Sequence, residues 1–136
     1  MEQILIQEDN FDKARKLIKE NSNKNIIFSS DDDELNRKIL EKENIQILLL
    51  NMEKRKDFQK QRNSGLNHVL AKLAKKKEII IGINLDEIIK TNEKEKARIL
   101  ARIRQNIQIC NKNKLKMKFI SKENKRNILT HNCVPP

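Results

Sequence analysis

The chain has 136 residues, with 30 Lys or Arg against 19 Asp or Glu, for a formal net charge of +11. That length fits a single domain, residues 1–136, and falls short of the roughly 250 residues of a complete eight-unit (β/α) barrel. The longest apolar run, Ile47-Leu48-Leu49-Leu50, is far below the roughly 20 residues of a membrane-spanning helix, and two Cys with two His argue against a disulfide scaffold or a Cys/His zinc cluster.

Short β-like runs alternate with helix-like segments. Ile4-Leu5-Ile6 reads as a first strand, and Asp9 or Asn10 caps a helix with Phe11, Ala14, Leu17 and Ile18 on one face. Ile26-Ile27-Phe28 is a second strand ending at Ser29-Ser30. Asp31-Asp32-Asp33 then opens a helix whose stripe is Leu35, Ile39 and Leu40, since carboxylates suit the exposed N–H groups of a helix start. The run Ile45-Gln46-Ile47-Leu48-Leu49-Leu50 is a third strand, apolar enough to be covered on both faces.

Residues 53–63 break the rhythm, being polar and strongly basic. Ser64 caps a helix over residues 66–77 with Leu66, Val69, Leu70 and Leu73 inward. Ile79-Ile80-Ile81-Gly82-Ile83 is a fourth strand. A short helical turn at residues 86–89 precedes a long helix over residues 93–113, and residues 116–121 form a fifth strand. Residues 122–136 read as a polar tail. Strand–helix alternation at this spacing predicts an α/β fold, about five parallel strands joined by right-handed crossovers.

Charge of this size favours nucleic acid or another anionic surface. The signal is discounted by a composition of 22 Lys, 20 Ile and 17 Asn, which an AT-rich genome produces without selection for function. Lys54, Arg55, Lys56, Lys60 and Arg62 crowd one segment around Phe58. There the cations could pair with phosphates while a base stacks on Phe58, or the segment could be a solvated loop whose Phe tucks into the core. His68, Lys72 and Lys75 share the face of their helix opposite the leucines. In the long helix, Leu100, Ile103, Ile107 and Cys110 form the buried stripe, while Arg98, Arg102, Gln105 and Lys112 project from the far side. Ile109 lies on that outer side too, which points to a protein partner or a second layer.

No G-x-S-x-G elbow, P-loop or G-x-G-x-x-G turn occurs. The acidic run Asp31-Asp32-Asp33-Glu34 could hold Mg²⁺, but the helix dipole explains it without a metal. Cys110 reads as a small core residue.

Ser64-Gly65-Leu66-Asn67-His68-Val69-Leu70-Ala71-Lys72-Leu73-Ala74 resembles the S-G-L-N-H-V-L-A-x-x-A segment of RNase P protein component 3, the archaeal counterpart of the human thirty-kilodalton RNase P subunit. Ala97-Arg98-Ile99-Leu100-Ala101-Arg102-Ile103-Arg104-Gln105-Asn106-Ile107 resembles the R-x-x-L-L-x-R-x-R-x-N helix of the same family. Asp33-Glu34-Leu35-Asn36-Arg37 followed by Ile45-Gln46-Ile47-Leu48 is similar to its helix beginning Asn-Arg and the next strand. Order and spacing agree over about residues 26–121.

The resemblance implies a partial (β/α) TIM-barrel-like domain without an active site of its own. It implies a cytoplasmic subunit of an archaeal-type RNase P, partnered by RNase P protein component 2. That pair binds the RNase P RNA, and the RNA, using Mg²⁺, removes the 5′ leader from precursor tRNA. No cofactor is expected on this chain itself. The family positions carried over are Asn36, Arg37, Ser64 to His68, Arg98, Arg102 and Asn106, with Asn67 and Asn106 either bracing the barrel or touching RNA. The RNA-binding set expected from charge and resemblance together is Arg37, Lys54, Arg55, Lys56, Lys60, Arg62, His68, Lys72, Arg98 and Arg102.

Typical members are longer at the front, and the family's usual Ser-rich turn after Ser121 is replaced. Five strands do not close a barrel, so either the sheet is incomplete or a partner covers its edges. The family is also distantly similar to metal-dependent phosphoesterases of the polymerase-and-histidinol-phosphatase type, whose H-x-H ligands are missing here. Two rival readings stand beside this one: a degenerate barrel serving as a protein–protein scaffold without RNA contact, and a phosphoesterase whose hydrolysis EDTA abolishes.

Overall fold

The computed structural model describes residues 2–53, 55 and 63–121, and the backbone of residues 127–132. Five strands and five helices follow in order: β1 (Gln3–Gln7), α1 (Phe11–Glu20), β2 (Asn25–Ser29), α2 (Asp33–Lys42), β3 (Ile47–Leu50), α3 (His68–Lys76), β4 (Ile80–Asn84), α4 (Leu85–Lys90), α5 (Glu93–Asn113) and β5 (Lys116–Ile120). A sixth strand, β6 (Asn127–Asn132), completes the sheet. Every helix start is fixed by a short polar side chain accepting from the first-turn backbone: Asn10, Asp32, Asn67, Asn84 and Asn92.

The sheet order is β1-β2-β3-β4-β5-β6, with β1 to β5 parallel and β6 antiparallel to β5. The expected five parallel strands alternating with helices are therefore present. β1 and β6 are not paired with each other, so among the described residues the sheet is an open one. Part of the expected polar tail is in fact β6. Ile128 and Leu129 are its only large apolar residues, too weak a pattern to announce a strand, and its register breaks between Phe119 and Ile120.

Sequential strand order with crossovers of one hand puts the helices on one side of the sheet. Ile6, Phe28, Leu48, Leu50, Ile81 and Met117 face that side and share one core with Ala14, Ile39, Ala71 and Ile103 from the helices. The opposite face carries a smaller cluster of Ile27, Ile47, Leu49 and Ile120. Gly82 lies in its middle, where a Cβ would come 3.0 Å from Ile120 Cδ1 and 3.1 Å from Leu49 Cδ1. No described helix is long and apolar enough to cross a membrane.

Three expectations are corrected. Ser64 does not cap α3; Asn67 does, accepting from Leu70 N at 2.9 Å. Val69, expected inward, is 72% exposed, because α3 turns Leu70, Ala71 and Ala74 to the core. α5 is likewise rotated from its expected setting: Ile99, Arg102, Ile103, Asn106, Ile109 and Cys110 are buried, and Leu100 is 46% exposed. Charged residues default to the surface, and two polar side chains of α5 override that default.

Candidate nucleic-acid interface

The basic segment leaves the sheet after β3 and returns at α3. Lys54, Lys56, Phe58, Lys60 and Arg62 lie outside the described residues, but both ends of the segment are fixed. At the leading end, the Glu87 carboxylate accepts from Met52 N at 2.7 Å and Glu53 N at 2.9 Å. Arg102, 2% exposed, reaches in from α5 and donates to Met52 O at 2.8 Å and Arg55 O at 2.7 Å, with Glu95 at 3.7 Å. At the returning end, Asn106 Nδ2 donates to Ser64 O at 3.1 Å and Gln105 Nε2 to Ser64 Oγ at 3.0 Å.

Arg55 joins the two ends. Its guanidinium forms a two-pronged pair with Asp33 at 2.8 and 2.9 Å and donates to Asn63 Oδ1 at 3.3 Å, while Nε donates to Asn51 O. Gly65 sits directly against it with φ +76°, and a Cβ there would fall 2.5 Å from Arg55 Nη2. Positive φ already favours glycine, and a Cβ would also push against the Arg55 guanidinium that is paired with Asp33. The Ser64-Gly65-Leu66-Asn67 run thus has a mechanical account: anchored carbonyl, bare backbone, buried leucine, helix cap.

Two expected placements are therefore corrected. Arg102 does not project outward, and Arg55, its side chain 7% exposed, is spent on Asp33. A buried guanidinium persists only when its N–H groups are satisfied, and both arginines meet that condition. Asn36 and Asn106 are buried braces, Asn36 Nδ2 donating to Ser30 O at 3.1 Å. Asp33, Glu87 and Asn63 were not foreseen as partners. The i, i+4 spacing of Arg102 and Asn106, in step with Ile99, Ile103 and Cys110, is the signal that places both on the inner face.

The other described members of the expected set, Arg37, His68, Lys72 and Arg98, are at the surface. Arg37 is half-exposed between Glu34 at 3.3 Å and Glu41 at 3.1 Å. Arg98 is half-exposed beside Glu95 at 3.5 Å. His68 is exposed, its Nδ1 3.2 Å from Asn113 Nδ2, and Lys72 is exposed. Surface pairs of this kind contribute about 0–1 kcal/mol. Between α2 and α3 runs a cleft of about 530 Å³, lined from α2 by Asp33, Glu34 and Arg37 and from the other side by Asn67 and Val69.

The carboxyl ends of the strands, where (β/α) barrels carry chemistry, hold a hydrogen-bonded belt. Asn84 Nδ2 donates to Asn51 Oδ1 at 3.0 Å, Asn51 Nδ2 to Ser29 Oγ at 3.1 Å and Asp31 Oδ1 at 3.3 Å, and Ser30 Oγ to Asp9 at 2.7 Å. Asp32 caps α2, so the acidic run is occupied by structural partners. Among the described residues, no group of three or more His, Cys, Asp or Glu is arranged to hold a metal ion. Cys110 is fully buried in the core.

No family model matches the sequence. The chain is 29% identical over 111 residues to Ribonuclease P protein component 3 of Methanococcus vannielii, covering 80% of this chain and 46% of that protein. Its fold matches a chain of the cryo-EM structure of archaeal Ribonuclease P with mature tRNA, at TM-score 0.74 and 24% identity, over 90% of this chain and 53% of that one. The chain thus spans about half the length of each. Motifs, fold and comparison meet on one family: the chain resembles RNase P protein component 3 over most of its length.

Proposed function

We propose that this chain is a non-catalytic protein subunit of a cytoplasmic RNase P ribonucleoprotein, binding the catalytic RNA and supporting removal of the 5′ leader from precursor tRNA. The similarity to component 3 over 80% of the chain carries this reading. Its net charge of +11 and its surface cations supply the physics. Cations that neutralise phosphates release counterions and let RNA helices approach one another, which lowers the Mg²⁺ the RNA needs. RNase P protein component 2 is the protein partner in this reading, precursor tRNA the substrate of the whole particle, and Mg²⁺ the ion of the RNA.

The RNA-binding set, revised for what the fold consumes, is Arg37, Lys54, Lys56, Lys60, Arg62, His68, Lys72 and Arg98. The test is reconstitution of precursor-tRNA cleavage from an archaeal RNase P RNA transcript, component 2 and this chain, titrated with Mg²⁺. Cleavage at lower Mg²⁺ when the chain is present is the expected result. A chain that neither binds the transcript nor moves the Mg²⁺ requirement overturns the reading. Exposed Val69, Ile89 and Leu100 favour the scaffold alternative, which predicts a stable complex with component 2 that survives nuclease treatment without RNA binding by this chain.

A further inference from the structure

The sequence of β1, Gln3-Ile4-Leu5-Ile6-Gln7, reads the same from either end. The strand forms one margin of the sheet, and among the described residues no strand lies on its outer side. The direction of its backbone groups follows from the bonds at its two ends. Asn25 N donates to Glu2 O at 2.8 Å, and Glu8 N donates to Ser29 O at 3.4 Å. Along a strand these groups point to alternate sides. Ile4 and Ile6 therefore turn theirs toward β2, as Glu2 and Glu8 do, while Gln3, Leu5 and Gln7 direct N–H and C=O away from the sheet. Sheet margins are ordinarily blunted by Lys, Pro or a bulge, because bare ones recruit other strands. β1 has none of these. It carries no charge in a chain that is 36% charged, its register with β2 is unbroken, and Ile4 and Leu5 are only half-buried.

The palindrome decides what this margin takes. Two identical edges close on each other about a twofold axis, each residue pair occurring twice, and such an axis makes the two strands antiparallel. With the axis at Leu5, Leu5 faces Leu5 of the second copy, Gln3 faces Gln7, and Ile4 faces Ile6. Every outward residue then meets an outward residue. That is the hydrogen-bonded pairing of an antiparallel ladder, in which both residues of a pair exchange their N–H···O bonds. Side chains match as well: the leucines abut between paired amides on one face, and isoleucines meet on the other, where Ile4 and Ile6 join the main core. Like charges are opposed only by Glu2 and Glu8, just outside the strand, and Glu2 has Lys24 at 3.6 Å. An uncharged margin offers no cation to a phosphate and no carboxylate to a basic peptide. We infer that this chain pairs with a second copy of itself through β1, one sheet running continuously across the twofold axis. The inference does not depend on the RNA-binding reading.

One short strand per copy makes a small interface, so a dissociation constant in the micromolar range is expected. The readout is sedimentation of the full chain across that range at about 0.15 M salt, where distant charges are screened. Gln3 and Gln7 are exposed, so substitutions there are expected to keep the wild-type melting temperature. Gln3→Lys/Gln7→Lys and Gln3→Glu/Gln7→Glu each place like charges opposite one another twice per dimer. Both are expected to weaken dimerisation about tenfold, although they move the net charge in opposite directions. Gln3→Glu/Gln7→Lys places opposite charges at the same points and is expected to dimerise at least as well as the wild type. A wild type that stays monomeric overturns the inference. So does a dimer that all three variants affect alike, or one that follows net charge alone. Loss of component 2 binding in the like-charge variants of a monomeric chain assigns the margin to a different protein and overturns it too. None of these outcomes touches the RNase P reading, which stands or falls on the transcript.

Discussion

Arg102 stands on α5 with its guanidinium buried against two carbonyls and a carboxylate. Truncating such a group leaves Met52 O and Arg55 O without this donor, and leaving buried polar groups unpaired costs about 1–3 kcal/mol. Arg102→Ala is accordingly expected to lower stability by about that amount in chemical denaturation, while Arg98→Ala, on the exposed side of the same helix, shifts it by less than about 0.5 kcal/mol. Equal effects of the two would deny Arg102 its bracing role. The contrast separates two arginines that share a motif and differ in what surrounds them.

Helix ends show how far local chemistry can be read from the chain. Asn10 and the acidic opening of α2 were legible because a short polar residue precedes each apolar stripe, and the bounds of α5 were legible from its length and periodicity. The rotation of α5 was not, since a stripe containing Arg102 and Asn106 looks polar until their partners 40 to 50 residues away come into contact. For the same reason the abundance of asparagine, discounted as compositional bias, proved structural: Asn36 and Asn106 brace the core and four asparagines cap helices. Two helix ends are strained, with Glu78 just past α3 at φ 59° and Lys114 at the end of α5. Lys114 closes α5 at φ 57° and ψ 39°, a conformation that costs a non-glycine residue roughly 1–2 kcal/mol. Lys114→Gly is expected to raise stability by about 1 kcal/mol, and a destabilised variant would contradict the capping geometry.

For the molecule as a whole, affinity for RNA should follow charge. The basic segment is tied at its base by Arg55, Arg102 and Asn106. Replacing Lys54, Lys56, Lys60 and Arg62 with Gln is expected to weaken RNA binding. The slope of log affinity against log salt should fall by about one for each phosphate that the segment neutralises. An unchanged slope would remove the segment from the RNA surface. The parallel sheet was foreseeable from strand–helix alternation. β6 was not, because an antiparallel edge strand needs only a neighbour to pair with, not an apolar pattern of its own.

The strand order β1-β2-β3-β4-β5-β6 has a consequence for how the chain acquires its shape. Each new strand docks beside the one made just before it, so no early segment must wait for a late one to find its place. Such a chain is suited to vectorial assembly on the ribosome, where synthesis at about 5–20 residues per second leaves seconds for each successive unit to settle on its predecessor.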